Sequence, residues 1–200
     1  MRNQLLIAAV LGSAVLAGEV GAQQHAPGSF SVEPYVGVFH DTYDIGADGS
    51  TGTLAGLRLA YALNDRTRLL ANVGGGKSSD VASRPTQVED YWVYGNRWLM
   101  TTAGAEYDVH QGRTAVALGL QAGAGWRKVM TEDQVGAPLD AGRYAGDGYA
   151  FYDVVVPSLS LRHALTPHAT VVLGVSDYVF DVLEWDPAHA PALSLGVSLN

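Results

Sequence analysis

The stretch "LSLRHALTPHATVVLGV", residues 159–175, decides the fold because it alternates, stops and then alternates again. Leu159 and Leu161 alternate with a serine and with Arg162, residues 166–168 form a Thr-Pro-His break, and a second alternation of Val and Leu follows. A period of two predicts a β-strand with one apolar face, and a short break that contains Pro predicts a turn. The stretch therefore predicts a β-hairpin that carries a charged residue on its less apolar face.

The same alternation recurs along the chain and predicts about eight strands, each long enough to cross a bilayer in about 9–11 residues. The segments that carry it, the next-to-last of which holds two strands, are 30–40, 53–63, 67–76, 98–109, 114–126, 149–178 and 192–200. Short connections are expected around 64–66, 110–112 and 166–168, and long polar ones at roughly 40–52, 77–97, 128–148 and 178–191. Alternating short and long connections predict an up-and-down meander with both ends on the short-turn side.

The two faces of these strands indicate which side meets water. One face carries Leu and Val, whereas the other is mostly Gly, Ala, Ser, Asn and Thr with isolated charges. A water-exposed face normally carries many Lys and Glu, but only 12 of the 200 residues are Lys or Arg. Small side chains suit the filled interior of an eight-stranded barrel, and a closed barrel leaves no unpaired edge in lipid. The sequence therefore predicts an all-β, eight-stranded antiparallel transmembrane barrel whose apolar face meets lipid.

Four charged residues on the small-residue face are expected to form a cluster inside this barrel. They lie at similar heights above the short turns and are Glu33, Arg58, Glu106 and Arg162. A single charge in a narrow lumen is costly, whereas paired and hydrogen-bonded charges are tolerated. We expect the cluster to fill the lumen, and a pore-lining role is the alternative.

Aromatic residues gather near the ends of the strands, as in the belts that mark membrane–water interfaces. Those expected to form the belts or a sticky loop surface are Tyr61, Tyr107, Tyr91, Trp92, Tyr94, Trp98, Trp126 and Trp185. Tyr178 and Phe180 occupy corresponding ends of a later strand and are expected in the outer belt as well. The alternative to a belt is a surface that binds a partner, because loops vary freely and carry function.

The first 22 residues predict a secretory signal peptide. Arg2 precedes the apolar run 5–17, and small residues at positions 20 and 22 are of the kind that signal peptidase reads, so cleavage is expected before Gln23. Residues 23–29 then form a short tail, and residues 30–200 form the barrel. The formal net charge of −8 argues against a nucleic-acid partner, and the absence of Cys excludes disulfides and thiolate metal sites.

Chemical motifs are few, and no metal or other cofactor is expected. The segment "ANVGGGKS" (71–78) loosely resembles a phosphate-binding loop, but no helical pattern follows it. The acidic loop "DIGADGSTG" (44–52) lacks the spacing of a calcium-binding EF-hand. His163 and Ser160 fall on opposite faces of one strand and so cannot form a dyad. A lipid A- or phospholipid-modifying enzyme and a soluble lipocalin-like barrel that holds an apolar ligand remain the alternative functions.

Together, the leader, the eight alternating strands, the short turns and the long loops resemble the small outer-membrane β-barrels, such as the transmembrane domain of outer-membrane protein A and outer-membrane protein X. The resemblance covers residues 30–200 and is architectural. It implies an outer-membrane location, short periplasmic turns, extracellular loops, and contact with outer-membrane lipids and lipopolysaccharide. It also implies a non-enzymatic role in stiffening the envelope or in binding an extracellular ligand through the loops. In place of that class's usual terminal aromatic residue, the sequence has Asn200.

Overall fold

The computed structural model describes six segments of the chain, namely residues 26–41, 50–78, 86–88, 91–133, 150–183 and 187–200. Within these segments the strands, in chain order, are β1 (Phe30–Asp41), β2 (Ser50–Ala62), β3 (Thr67–Ser78), β4 (Thr86–Val88), β5 (Tyr91–His110), β6 (Thr114–Asp133), β7 (Ala150–Thr166), β8 (Ala169–Phe180) and β9 (Ala188–Leu199). The described residues include no helix that is long and apolar enough to cross a membrane.

Eight of these strands close into an antiparallel barrel. The sheet order is β3-β2-β1-β9-β8-β7-β6-β5, and pairing of β3 with β5 closes the ring. The three predicted short connections are present as residues 63–66, 111–113 and 167–168. Each of the eight barrel strands pairs with the barrel strands that precede and follow it in the chain, and the first strand pairs with the last. The fold is therefore the predicted eight-stranded up-and-down barrel.

The structure corrects the predicted bounds of β5 and β6. Each strand has 20 residues, and their pairing runs from the short turn up to Tyr91 opposite Asp133. The pairing of β3 with β5 ends earlier, at Lys77 opposite Arg97, and β4 adds a third short strand along β5. Parts of the predicted loops 77–97 and 128–148 are therefore strand. We call residues 86–88, 91–96 and 128–133 the β4–β6 extension.

The apolar face of the barrel points outward, as the alternation predicts. Leu59 and Leu118 are 46% and 53% exposed, whereas the Arg162 side chain on the opposite face is only 3% exposed. Large apolar side chains are also exposed on the neighbouring strands, among them Val36, Val38, Leu57, Leu69, Val73, Leu99, Leu120, Leu159, Leu173, Val175 and Leu193. A water-soluble barrel would bury these groups, so this continuous apolar band indicates a lipid-facing surface.

Glycines on the inner face make room for large aromatic rings. A Cβ atom added at Gly76 would lie 2.5 Å from Trp98 Cε2, and one added at Gly52 would lie 2.6 Å from Phe39 Cζ. The small residues that the sequence places on this face therefore fit beneath bulky side chains of the adjacent strands, which fill the lumen rather than leaving an open channel.

A Gly76→Ala substitution is expected to destabilise the barrel by about 1–3 kcal/mol, because overpacking forces the Trp98 ring out of its place. The measurement is the guanidinium midpoint of unfolding in lipid vesicles. The matched variant Gly76→Ala/Trp98→Phe removes the ring atoms nearest the new methyl group and should regain part of the loss. Equal midpoints for Gly76→Ala and the wild type would show that this region of the lumen has free space.

Candidate functional site: the filled lumen

The first ionic group in the lumen joins β1 and β2. Glu33 and Arg58 are direct cross-strand partners, and Arg58 Nη1 donates a hydrogen bond of 2.8 Å to Glu33 Oε1. The Arg58 guanidinium also lies 5.5 Å from the centre of the Tyr35 ring, within cation–π range. With side-chain exposures of 12% and 4%, this ion pair is shielded from bulk solvent.

The second ionic group links β3, β5 and β7, and we call it the four-residue cluster. Glu106 forms ion pairs with Arg68 and with Arg162, the latter at 3.4 Å from Nη1 to Oε1, and Arg162 also pairs with Asp108. All four side chains are 3–5% exposed. Two guanidinium groups face two carboxylates, so the charges balance, as buried charges require.

The structure brings the four predicted lumen charges together as two pairs, Glu33 with Arg58 and Glu106 with Arg162. The structure adds two unpredicted members, Arg68 and Asp108, to these charges. Asp108 lies two residues beyond Glu106 and therefore on the same face, which is a signal that the alternation contained. Arg68 lies opposite Glu106 on a strand that no short turn connects to β5, so its register could not be counted.

A layer of polar side chains lies next to the ionic groups, on their loop side. Tyr35 Oη donates a hydrogen bond to Asn72 Oδ1 at 3.0 Å, and Asn72 Nδ2 donates one to Thr102 Oγ1 at 3.4 Å. Thr102 Oγ1 in turn donates to Gln121 Oε1 at 3.0 Å. This chain of hydrogen bonds joins β1, β3, β5 and β6 and satisfies polar groups that are otherwise buried.

An aromatic layer closes the loop side of the lumen. It contains three residues that the sequence predicts in the outer belt. The Trp98 ring centre lies 5.4 Å from Phe39, 5.1 Å from Tyr178 and 5.9 Å from Phe180. The exposure of Trp98 is only 3%, so this residue packs inside the barrel and not in the outer belt. Tyr178 and Phe180, 3% and 1% exposed, are corrected in the same way. The physical reason is parity, since all three residues share the inner face of their strands.

Other aromatic residues do face outward at the ends of the barrel. On the short-turn side, Tyr61 packs against Phe30 at 4.7 Å and Tyr107 is 46% exposed. On the loop side, Trp126 is 39% exposed and packs edge-on against Phe151 at 5.5 Å. The side chains of Tyr91, Trp92 and Tyr94 and the whole of Trp185 lie outside the described residues.

The histidines within the described segments lie apart from this lumen. His163 Nδ1 lies 2.8 Å from Thr114 Oγ1, whereas Ser160 is buried on the inner face of the same strand. The prediction that His163 and Ser160 cannot form a dyad is therefore confirmed. His189 and Asp177 form an exposed pair at 2.8 Å near the loop end of β8 and β9. Among the described residues, no group of three or more His, Asp or Glu could hold a metal ion.

Comparison with known proteins identifies the fold. No protein family matches this chain, and no curated protein matches it. Neisserial surface protein A (NspA) shares 17% identity with it at a TM-score of 0.60, over 85% of this chain and 96% of that chain. The attachment invasion locus protein Ail of Yersinia pestis shares 11% at 0.54, over 86% and 98%. Ail in complex with the heparin analogue sucrose octasulfate shares 12% at 0.51, over 86% and 98%. The chain thus has the fold of the small eight-stranded outer-membrane β-barrels.

Proposed function

We propose that the protein is a non-enzymatic outer-membrane barrel that is closed by its own side chains and acts through its loop-side surface. The observation that carries the proposal is the filled lumen, in which ionic, polar and aromatic layers follow one another along the barrel. The innermost groups are almost inaccessible, with Phe180 at 1% and Met100 at 0% exposure. A solute would have to break buried ion pairs and displace packed rings in turn, so transport through the lumen is not favoured.

The lengths of the strands support the outer-membrane location. β8 has 12 residues, which at about 3.3 Å per residue and a tilt of about 45° span roughly 28 Å, close to the thickness of the hydrocarbon core. The band of exposed Leu and Val faces this layer. We further propose that residues 1–22 are the leader that directs export. They lie outside the described residues.

The β4–β6 extension supports a function at the surface. With 20 residues each, β5 and β6 span roughly 47 Å by the same reasoning and so reach beyond the hydrocarbon core. Tyr91 and Trp92 are in this part of β5, directly opposite Asp133 and Glu132 of β6. A paired sheet outside the membrane presents a more rigid surface than a free loop does. The complex of Ail with a heparin analogue supports a ligand-binding role for a barrel of this fold.

The expected result in a planar lipid bilayer is that the wild-type protein produces no ion conductance. Removing bulk from both closing layers with Trp98→Ala/Arg162→Ala should create a measurable conductance, because the aromatic layer and the four-residue cluster each lose a side chain. Cold and boiled samples on a detergent gel verify that both proteins are folded, since a folded membrane barrel migrates differently from the boiled chain. A wild-type protein that conducts ions as strongly as the double variant would contradict the closed lumen.

A further inference from the structure

A groove of about 980 Å³ lies on the outer, lipid-facing surface of the barrel. It crosses β9, β1, β2 and β3, and its volume is within the range of ligand-binding clefts. The groove is deepest where Ala55 and Gly75 are direct neighbours on adjacent strands, because neither residue has a large side chain. Most of the side chains that surround this floor are apolar, among them Val36, Val38, Leu193 and Leu195.

Two cationic residues lie at the loop end of this groove. Lys77 is the next-to-last residue of β3, and it lies directly opposite Arg97 of β5 on the outer face, where both are exposed. Like charges directly opposite each other in a sheet are destabilising, and an anion bound between them removes that repulsion. Lys77 and Arg97 are thus paired in a chain with only 12 Lys and Arg and a net charge of −8.

We propose that the groove binds one lipopolysaccharide molecule, with an acyl chain on Ala55 and Gly75 and a lipid A phosphate on Lys77 and Arg97. The proposal rests on the proposed outer-membrane location. With the loops outside the cell, Lys77 and Arg97 lie at the headgroup level of the outer leaflet, which lipopolysaccharide occupies. A phospholipid has the same phosphate and acyl chemistry. Two adjacent cations, Lys77 and Arg97, favour the lipid with more than one phosphate.

The test measures binding of fluorescent lipopolysaccharide to the full-length protein in detergent micelles. Lys77→Gln/Arg97→Gln is expected to weaken binding by about tenfold or more, because hydrogen bonds to charged groups contribute strongly. The matched control is Arg66→Gln/Arg113→Gln, which removes two exposed cations at the short-turn end and should bind as the wild type does. Equal binding by Lys77→Gln/Arg97→Gln and this control would overturn the proposal.

Two further probes distinguish the lipids. Dephosphorylated lipopolysaccharide should bind the wild type as weakly as intact lipopolysaccharide binds Lys77→Gln/Arg97→Gln, and phosphatidylglycerol should bind less tightly than lipopolysaccharide. Phosphatidylglycerol that binds as tightly, with the same dependence on the two cations, would overturn the assignment to lipopolysaccharide. Ala55→Phe fills the groove without adding charge and should also weaken binding. Unchanged binding by this variant would contradict the acyl site.

The gel shift between cold and boiled samples, together with the conductance, distinguishes a failure of the lipid site from a failure of the proposed function. All variants carry their substitutions on the outer face or in the turns, so they should fold and remain non-conducting. Loss of the gel shift or appearance of conductance in the wild type would count against the closed outer-membrane barrel. A folded, non-conducting wild type that binds lipopolysaccharide no better than Lys77→Gln/Arg97→Gln would defeat the lipid site alone.

Discussion

A Glu106→Ala variant is expected to lose about 3–5 kcal/mol of unfolding free energy, because breaking a buried ion pair leaves a charge without compensation. Glu106 faces two guanidinium groups, those of Arg68 and Arg162. Arg162 keeps Asp108 when Glu106 is removed, but Arg68 loses its paired carboxylate. Arg68 Nε and Nη1 have no hydrogen-bond partner among the described residues, so Arg68 depends strongly on Glu106.

The measurement is a guanidinium titration in lipid vesicles, followed by tryptophan fluorescence. The matched variant is Arg68→Met/Glu106→Leu, which removes the pair and leaves apolar groups of similar size. Since such replacements are often neutral or stabilising, this variant should lie close to the wild type. A loss below about 1 kcal/mol for Glu106→Ala would mean that water solvates the four-residue cluster, because exposed ion pairs contribute only that much. That result would count against a closed lumen.

Much of the barrel could be predicted from the sequence because lipid and a packed lumen place opposite demands on alternate residues. Leu118 and Leu120 are separated by Gly119, and this contrast gives both the strand and its orientation. The same contrast is missing from the β4–β6 extension, as expected if both faces of that sheet are outside the membrane. The extension therefore looked like loop, although its strands are paired.

The candidate site was predictable only where the face of a residue could be counted along one strand. Counting by two along β5 places Glu106 and Asp108 inside and would also have placed Trp98 there. The position of Trp98 near the end of a strand predicts its place along the barrel axis but not whether its side chain points inward or outward. The pairing of Arg68 with Glu106 depends on the register between β3 and β5, and this register becomes visible only when the barrel closes.

A Leu120→Arg substitution is expected to destabilise the barrel by about 2–4 kcal/mol in lipid vesicles, the effect of Arg on the lipid face near the bilayer midplane. Leu120 is 60% exposed and lies on the outer face of β6, between the short turn at 111–113 and the outward-facing Trp126. The guanidinium of the introduced arginine would be placed in hydrocarbon, where it has to reach the interface or draw water inward. The measurement is again the unfolding free energy from a guanidinium titration.

The control is Leu63→Arg, which introduces the same charge at the short-turn end of the barrel. Leu63 is 48% exposed and lies beside the aromatic Tyr61, so a lipid-embedded barrel predicts a cost there of about 0–1 kcal/mol. A barrel in water predicts that both substitutions remain within about 0.5 kcal/mol of the wild type, because an exposed Leu then already faces water. The difference between the two variants therefore measures lipid contact directly, independently of folding yield. Equal stabilities for Leu120→Arg and Leu63→Arg would contradict the membrane-spanning barrel, because only hydrocarbon makes the depth of a charge matter.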